Sequence, residues 1–181
     1  MRPAGLPLIL SLIVLAVAAF AGPPAVAQQA APEKPASTEV KLVTSNWQLN
    51  CRPAGEAQEL RCEASQTVTV QSSGQTLLVA QVMPWTQDGA AAPWLLRFQL
   101  PHGLEIPAGV AMAIDDAAMP APVIQTSSQA GVYARAPLDD ALLAAMRKGK
   151  LMTVGLTALN GSALTVPVSL NGFTAVFGKL Q

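Results

Sequence analysis

From Leu151 to Leu170 the chain reads LMTVGLTALNGSALTVPVSL. Leu164, Val166, Val168 and Leu170 alternate with smaller or more polar neighbours, and Met152 to Leu156 forms a second run of the same kind. Period two sends successive side chains to opposite faces of a strand, so each run predicts a strand with one buried face. Asn160-Gly161 lies between them and favours the positive backbone angles of a type I′ turn, which makes the pair an antiparallel hairpin.

The same period recurs through the chain at Trp47, Leu49 and Cys51, at Leu60, Cys62 and Ala64, at Trp94, Leu96, Phe98 and Leu100, and at Val110, Met112 and Ile114. Further strands are expected at Thr67 to Val70, Leu77 to Met83, Pro122 to Gln125 and Val132 to Arg135. Turn-prone stretches separate them, among them Ser72-Ser73-Gly74, Gln87-Asp88-Gly89 and Pro107-Ala108-Gly109. Many short strands joined in this way predict a mainly β, single-domain antiparallel sandwich or barrel-like fold. One segment breaks the pattern. Leu138, Ala141, Leu142, Ala145 and Met146 follow the spacing of an amphipathic helix over 138–148. Asp139 can cap its start, Arg147 and Lys148 suit the negative end of its dipole, and Gly149 can supply a left-handed stop. Phe173, Val176, Phe177 and Leu180 keep helical spacing after Asn171-Gly172 and predict a second, shorter helix.

At the other end, residues 1–27 read MRPAGLPLILSLIVLAVAAFAGPPAVA, with Arg2 the sole charge and Ala25-Val26-Ala27 at the close. That is the pattern of a secretory signal peptide cleaved after Ala27. A bilayer span takes about 20 apolar residues, and Pro7 and Ser11 interrupt this shorter run, so no integral membrane span is expected after cleavage. Residues 28–39 mix Pro, Ala and polar residues without apolar periodicity and are expected to be a flexible linker. The domain proper is expected at 40–181. Loss of Arg2 leaves ten basic residues against eleven acidic ones, a net charge of about −1. A near-neutral chain has no basic field to gather phosphate backbones, which argues against nucleic acid as a partner.

Catalytic signals are absent from the pattern. His102 is the single histidine and sits in LPHGLEIP, with no G-x-S-x-G nucleophile elbow elsewhere. Asp115-Asp116 and Asp139-Asp140 are adjacent pairs whose side chains diverge, so they suit a strand end and a helix start better than acid-base catalysis or an EF-hand calcium loop. Met112, Met146 and Met152 fall in buried stripes, leaving Met83 and Met119 too few for a soft copper site. No metal and no cofactor is expected. Trp47 alternates in phase with Cys51 and is assigned to the core. Trp85, after Pro84 at a loop start, is the best candidate for an exposed contact.

Several segments together resemble the invasion-associated locus B proteins of alphaproteobacteria. They are Trp47 with Cys51 and the second cysteine Cys62, LPHGLEIPAGVAMAIDD, LDDALLAAMRKGKLMTV, and the closing VPVSLNGFTAVFGKL. The resemblance spans nearly the whole mature domain and implies an exported protein, periplasmic or associated with the outer membrane, with a role in host-cell entry implied by the family name. No catalytic residue comes with it. Relatives often carry a second cysteine pair before the helix, where this chain has Ser127 or Ser128 and then Val132, so no second bridge is expected.

Cys51 and Cys62 fall on the apolar phase of two opposed strands joined by Arg52 to Glu59. Such strands can bring the two residues within disulfide reach, and an oxidising export compartment would keep the bond closed. A structural Cys51–Cys62 staple is therefore predicted. Ten residues separate the pair, unlike the C-x-x-C spacing that depresses a thiol pKa. The leading functional expectation is a non-enzymatic envelope or periplasmic binding protein whose partner is an unidentified envelope or host component. The alternatives are a thiol-redox factor or enzyme using Cys51 and Cys62, and a purely structural envelope component.

Overall fold

The period-two runs become strands in the structure, a computed structural model describing residues 41–54, 59–85 and 93–180. The expected signal peptide, the linker and the Gln87-Asp88-Gly89 turn lie outside the described residues. The strands are β1 (Leu42–Thr44), β2 (Gln48–Ala54), β3 (Glu59–Val70), β4 (Thr76–Pro84), β5 (Trp94–Leu100), β6 (Ala111–Ile114), β7 (Ala117–Ala118), β8 (Val123–Ser128), β9 (Gly131–Pro137), β10 (Leu151–Thr157) and β11 (Ala163–Ser169). Among the described residues there are also two α-helices, α1 (Asp140–Lys148) and α2 (Phe173–Phe177).

Antiparallel pairing builds two sheets. A seven-stranded sheet runs β1-β3-β4-β5-β9-β8 with β2 also on β3, and a four-stranded sheet runs β11-β10-β6-β7. Their apolar faces share one core, which settles the sandwich against the barrel. Leu78, Ala80, Val82, Leu96, Phe98 and Ala134 enter it from the larger sheet, and Met112, Met152, Val154, Val166 and Val168 from the smaller. The stripe methionines are thus core, as expected. The short α2 packs Phe173 and Phe177 into the core, where Trp47 meets Phe173 edge-on at 5.0 Å and Trp94 meets Phe177 at 4.9 Å. The Trp47 indole N–H donates to the Ser169 carbonyl at 2.7 Å, so the polar end of the buried ring is satisfied.

Strand β3 of the larger sheet departs from the expected pattern. Strand β3 is a single run of twelve residues rather than the two pieces expected, because it pairs with β2 along Glu59 to Ser65 and with β1 along Val68 to Val70. Gln66 lies between these two stretches and is buried on the core side with neither amide atom hydrogen-bonded. A buried polar group without a partner costs about 1–3 kcal/mol.

Helix α1 follows its local signals at the start. The Asp139 carboxylate accepts from the Leu142 N–H at 2.8 Å, and Leu142, Leu143 and Met146 are buried. Its end is different. Gly149 is extended, with φ −71° and ψ 161°, rather than left-handed. The glycine is needed for space: a Cβ there would stand 2.5 Å from Ile114 Cγ2 and 3.0 Å from Leu170 Cδ1.

The turn expectations are also corrected. The β10–β11 hairpin is antiparallel as predicted, with Leu156 opposite Leu164. Only Gly161 takes a positive φ there, 79°, and its N–H donates to Ala158, giving a three-residue loop instead of type I′. The type I′ turn sits at Asp115-Asp116, both with positive φ, which join Ile114 to its partner Ala117. That doublet is a turn in its own right, and the Asp115 carboxylate accepts from the Lys150 and Leu151 N–H groups at 2.9–3.1 Å, holding α1's exit against the turn.

Candidate functional site

Because alternation points one set of side chains into the core, it points the other set out. On β3, β4, β5 and β9 the outward set includes Glu63, Gln81, Arg97, Tyr133 and Arg135. Register then aligns them across the sheet. Gln81 stands opposite Arg97, and Arg97 stands opposite Arg135.

Contacts knit this outer face into a polar ladder. The Arg97 Nε–H donates to Gln81 Oε1 at 3.0 Å, and Gln81 Nε2 donates to Glu63 Oε1 at 3.1 Å. Glu63 also pairs with Arg52 at 3.1 Å and lies 3.9 Å from Arg97 Nη2, so one carboxylate is shared by two guanidiniums. Each central arginine rests on an aromatic ring. Arg97 is 5.6 Å from the centroid of Tyr133, and Arg135 is 5.7 Å from that of Trp85. These are cation–π distances, favourable by about 0.5–1 kcal/mol when exposed and more when desolvated.

Beyond the ladder the face opens into a groove of about 340 Å³ lined by Leu95, Arg97, Gln125, Thr126, Tyr133 and Arg135. Strand β8 forms one wall. Its register slips between Ile124 and Thr126, so the extra residue Gln125 and its neighbour Thr126 both line the groove. Re-aiming of a side chain is a usual consequence of a bulge. Among the described residues the lining carries two guanidiniums and no carboxylate.

The residues singled out by sequence are dispersed. Cys51 and Cys62 are joined in a disulfide, directly opposite each other in β2 and β3 with Cα atoms 4.0 Å apart. They occupy the core-facing phase, but Cys51 is exposed and Cys62 half-buried, which corrects the expectation that the apolar phase buries both. Trp85 is half-buried rather than fully exposed and lies under Arg135, beside the groove. His102 is exposed, with Nε2 3.3 Å from the Gln129 carbonyl. Among the described residues no group of three or more potential metal ligands comes together. Arg97 and Arg135 were not anticipated as site residues. A charge at the polar phase of a strand is ordinary, and the one available signal was that WLLRFQL and VYARAPL each place an arginine mid-strand.

With this geometry established, the sequence profile described as "Invasion associated locus B (IalB) protein" matches residues 47–181. The chain belongs to the IalB family. Two invasion protein B homologues of Brucella abortus, from strains 2308 and 9-941, are each 28% identical over 137 residues, covering 75% of this chain and 76% of theirs. The crystal structure of invasion-associated protein B from Bartonella henselae superposes with a TM-score of 0.60 at 21% identity, covering 76% of this chain and 94% of that one. At that identity the likeness is one of fold, and it places the IalB chain among antiparallel sandwiches independently of the sequence pattern. IalB membership brings an association with invasion in the name, but no chemistry.

Proposed function

We propose that this IalB-family chain is an exported, non-enzymatic binding protein of the periplasm or outer membrane that holds its partner on the outer face of the seven-stranded sheet. The observation that carries the reading is the groove between Arg97, Tyr133 and Arg135, with Trp85 beside it. Concave sites with aliphatic and aromatic walls and a few convergent polar groups are the usual form of binding sites. Export is supported by residues 1–27 and by a partly exposed disulfide, a bond that persists in oxidising compartments. The thiol-redox alternative finds no support in a cross-strand bridge without C-x-x-C spacing. A host-cell role rests on the family name and requires no feature of this chain.

A photo-crosslinking amino acid in place of Thr126, in exporting cells, tests the site. The groove position is expected to capture an envelope component that the same group at Leu159, 74% exposed on the β10–β11 loop, does not. Equal capture at both positions, or none at 126, overturns the reading. Mass measurement of the exported chain is expected to show Gln28 as the first residue.

A further inference from the structure

We infer that β8 is the pairing edge for a second copy of this chain, the two copies joining antiparallel about Ser127 into one continuous sheet. Among the described residues, β1 and β2 share one edge of the seven-stranded sheet, β8 ends the other, and β11 and β7 bound the four-stranded sheet. An edge strand presents unpaired N–H and C=O groups, and proteins blunt such edges with short strands, charges or prolines. Four of these strands follow that rule. Strand β1 has three residues and β7 two, β2 carries Arg52 and Pro53, and β11 carries Pro167. Strand β8 does not. It has six residues, Val123 to Ser128, none charged and none proline, and all but Ile124 are exposed. Its bulge, between Ile124 and Thr126, disturbs the first half alone, since Thr126, Ser127 and Ser128 pair with Tyr133, Val132 and Gly131 without a break.

The occupant is indicated by the sequence of that regular half. Gln125-Thr126-Ser127-Ser128-Gln129 reads almost the same in either direction. Antiparallel pairing of two copies about Ser127 sets Gln125 opposite Gln129, Thr126 opposite Ser128, and Ser127 opposite its own counterpart. Each pair joins neutral groups that both donate and accept, and hydroxyl pairs across strands are stabilising. Charge does not oppose the approach: residues 117–134 contain no Asp, Glu, Lys or Arg, and the whole chain carries a net charge near zero. Two-fold pairing uses β8 in both copies and leaves only blunted edges, so assembly stops at two. A contact of one strand is smaller than a standard interface, which makes the dimer reversible and concentration-dependent. The two-fold runs perpendicular to the sheet, so both outer faces turn the same way. Because Thr126 lines the groove, the two grooves come to lie alongside each other on one surface. A partner with repeated features engages both at once and gains avidity; that consequence rests on the groove being the binding face, whereas the pairing does not.

Analytical ultracentrifugation of the exported chain over a concentration series is expected to show a monomer–dimer equilibrium. Ser127→Cys, with the native bridge closed, is expected to join two copies by a disulfide under mild oxidation, since directly opposed residues lie within disulfide reach. Thr126→Cys mixed with Ser128→Cys is expected to link the two variants to each other more than either to itself, which reads the register. Leu159→Cys, on the exposed β10–β11 loop, is expected to give no such link. Ser127→Lys sets like charges opposite each other and is expected to shift the equilibrium at least about tenfold toward monomer at unchanged Tm. The cysteine variants keep the result independent of the lysine variant's folding. A monomer at every concentration up to about 1 mM, equal linking by Leu159→Cys and Ser127→Cys, or a dimer untouched by Ser127→Lys overturns the proposal. Photo-capture at Thr126 of a species with the chain's own mass reports this pairing, and capture of any other mass reports the groove, so failure of one leaves the other standing.

Discussion

Two hairpins of this sandwich are held in different ways. In β10–β11 the core-facing residues Met152, Val154, Val166 and Val168 are all fully buried, and the pair needs no covalent help. In β2–β3 the core-facing phase passes from buried Trp47 and Ala64 to Leu49, 37% exposed, Cys51, Cys62 and then Leu60, 69% exposed. Strand β4 pairs with β3 only from Ala64 onward, so the hairpin's outer half extends past its neighbour. Where burial runs out, the disulfide takes over the task of holding the strands together. Hydrophobic stabilisation scales with area removed from water, whereas a crosslink acts chiefly on the unfolded chain and needs no core beneath it.

This contrast can be broken most severely from the buried side. Met152→Ala removes a fully buried side chain between the sheets and is expected to cost about 2–5 kcal/mol, read from denaturant unfolding at unchanged m-value. Cys62→Ser comes next. Closing so short a loop contributes roughly 3 kcal/mol in the chain-entropy model, so a clear fall in Tm is expected with partner capture at residue 126 retained below the transition. An unchanged Tm would show that pairing alone holds the outer half of the hairpin. Leu60→Ser is the smallest test: although Leu60 lies on the apolar phase, its exposure predicts a change within about 0.5 kcal/mol. A loss of several kcal/mol would mean that the hairpin end is covered in the working protein.

The local readings that succeeded are those whose causes are local. Asp139 caps α1 because its carboxylate meets an N–H three residues on, and the alternation at Trp94 to Leu100 buries Leu96, Phe98 and Leu100 as its period demands. The readings that failed have distant causes. Gly149 seemed a left-handed stop, but the glycine makes room for Ile114 and Leu170. Asn160-Gly161 is the stronger type I′ signal, yet Asp115-Asp116 adopts that turn, held by the N–H groups of Lys150 and Leu151. The cysteine phase was read correctly and its burial was not, because burial depends on what lies across from the strand.

The candidate site shows the same division. Periodicity alone places Arg97, Tyr133 and Arg135 on the polar side of their strands, and cysteine spacing alone makes the Cys51–Cys62 bridge reasonable. Both follow from the pleat, a property of neighbours in the chain. That β5 lies beside β9, that their register sets one arginine against the other, and that a bulge in β8 turns Gln125 and Thr126 toward them are consequences of how the sheet assembles. Alternation tells each strand which side chains face water. It carries no information about which strand will be its neighbour, since pairing is decided by the shared core that all the strands must cover together.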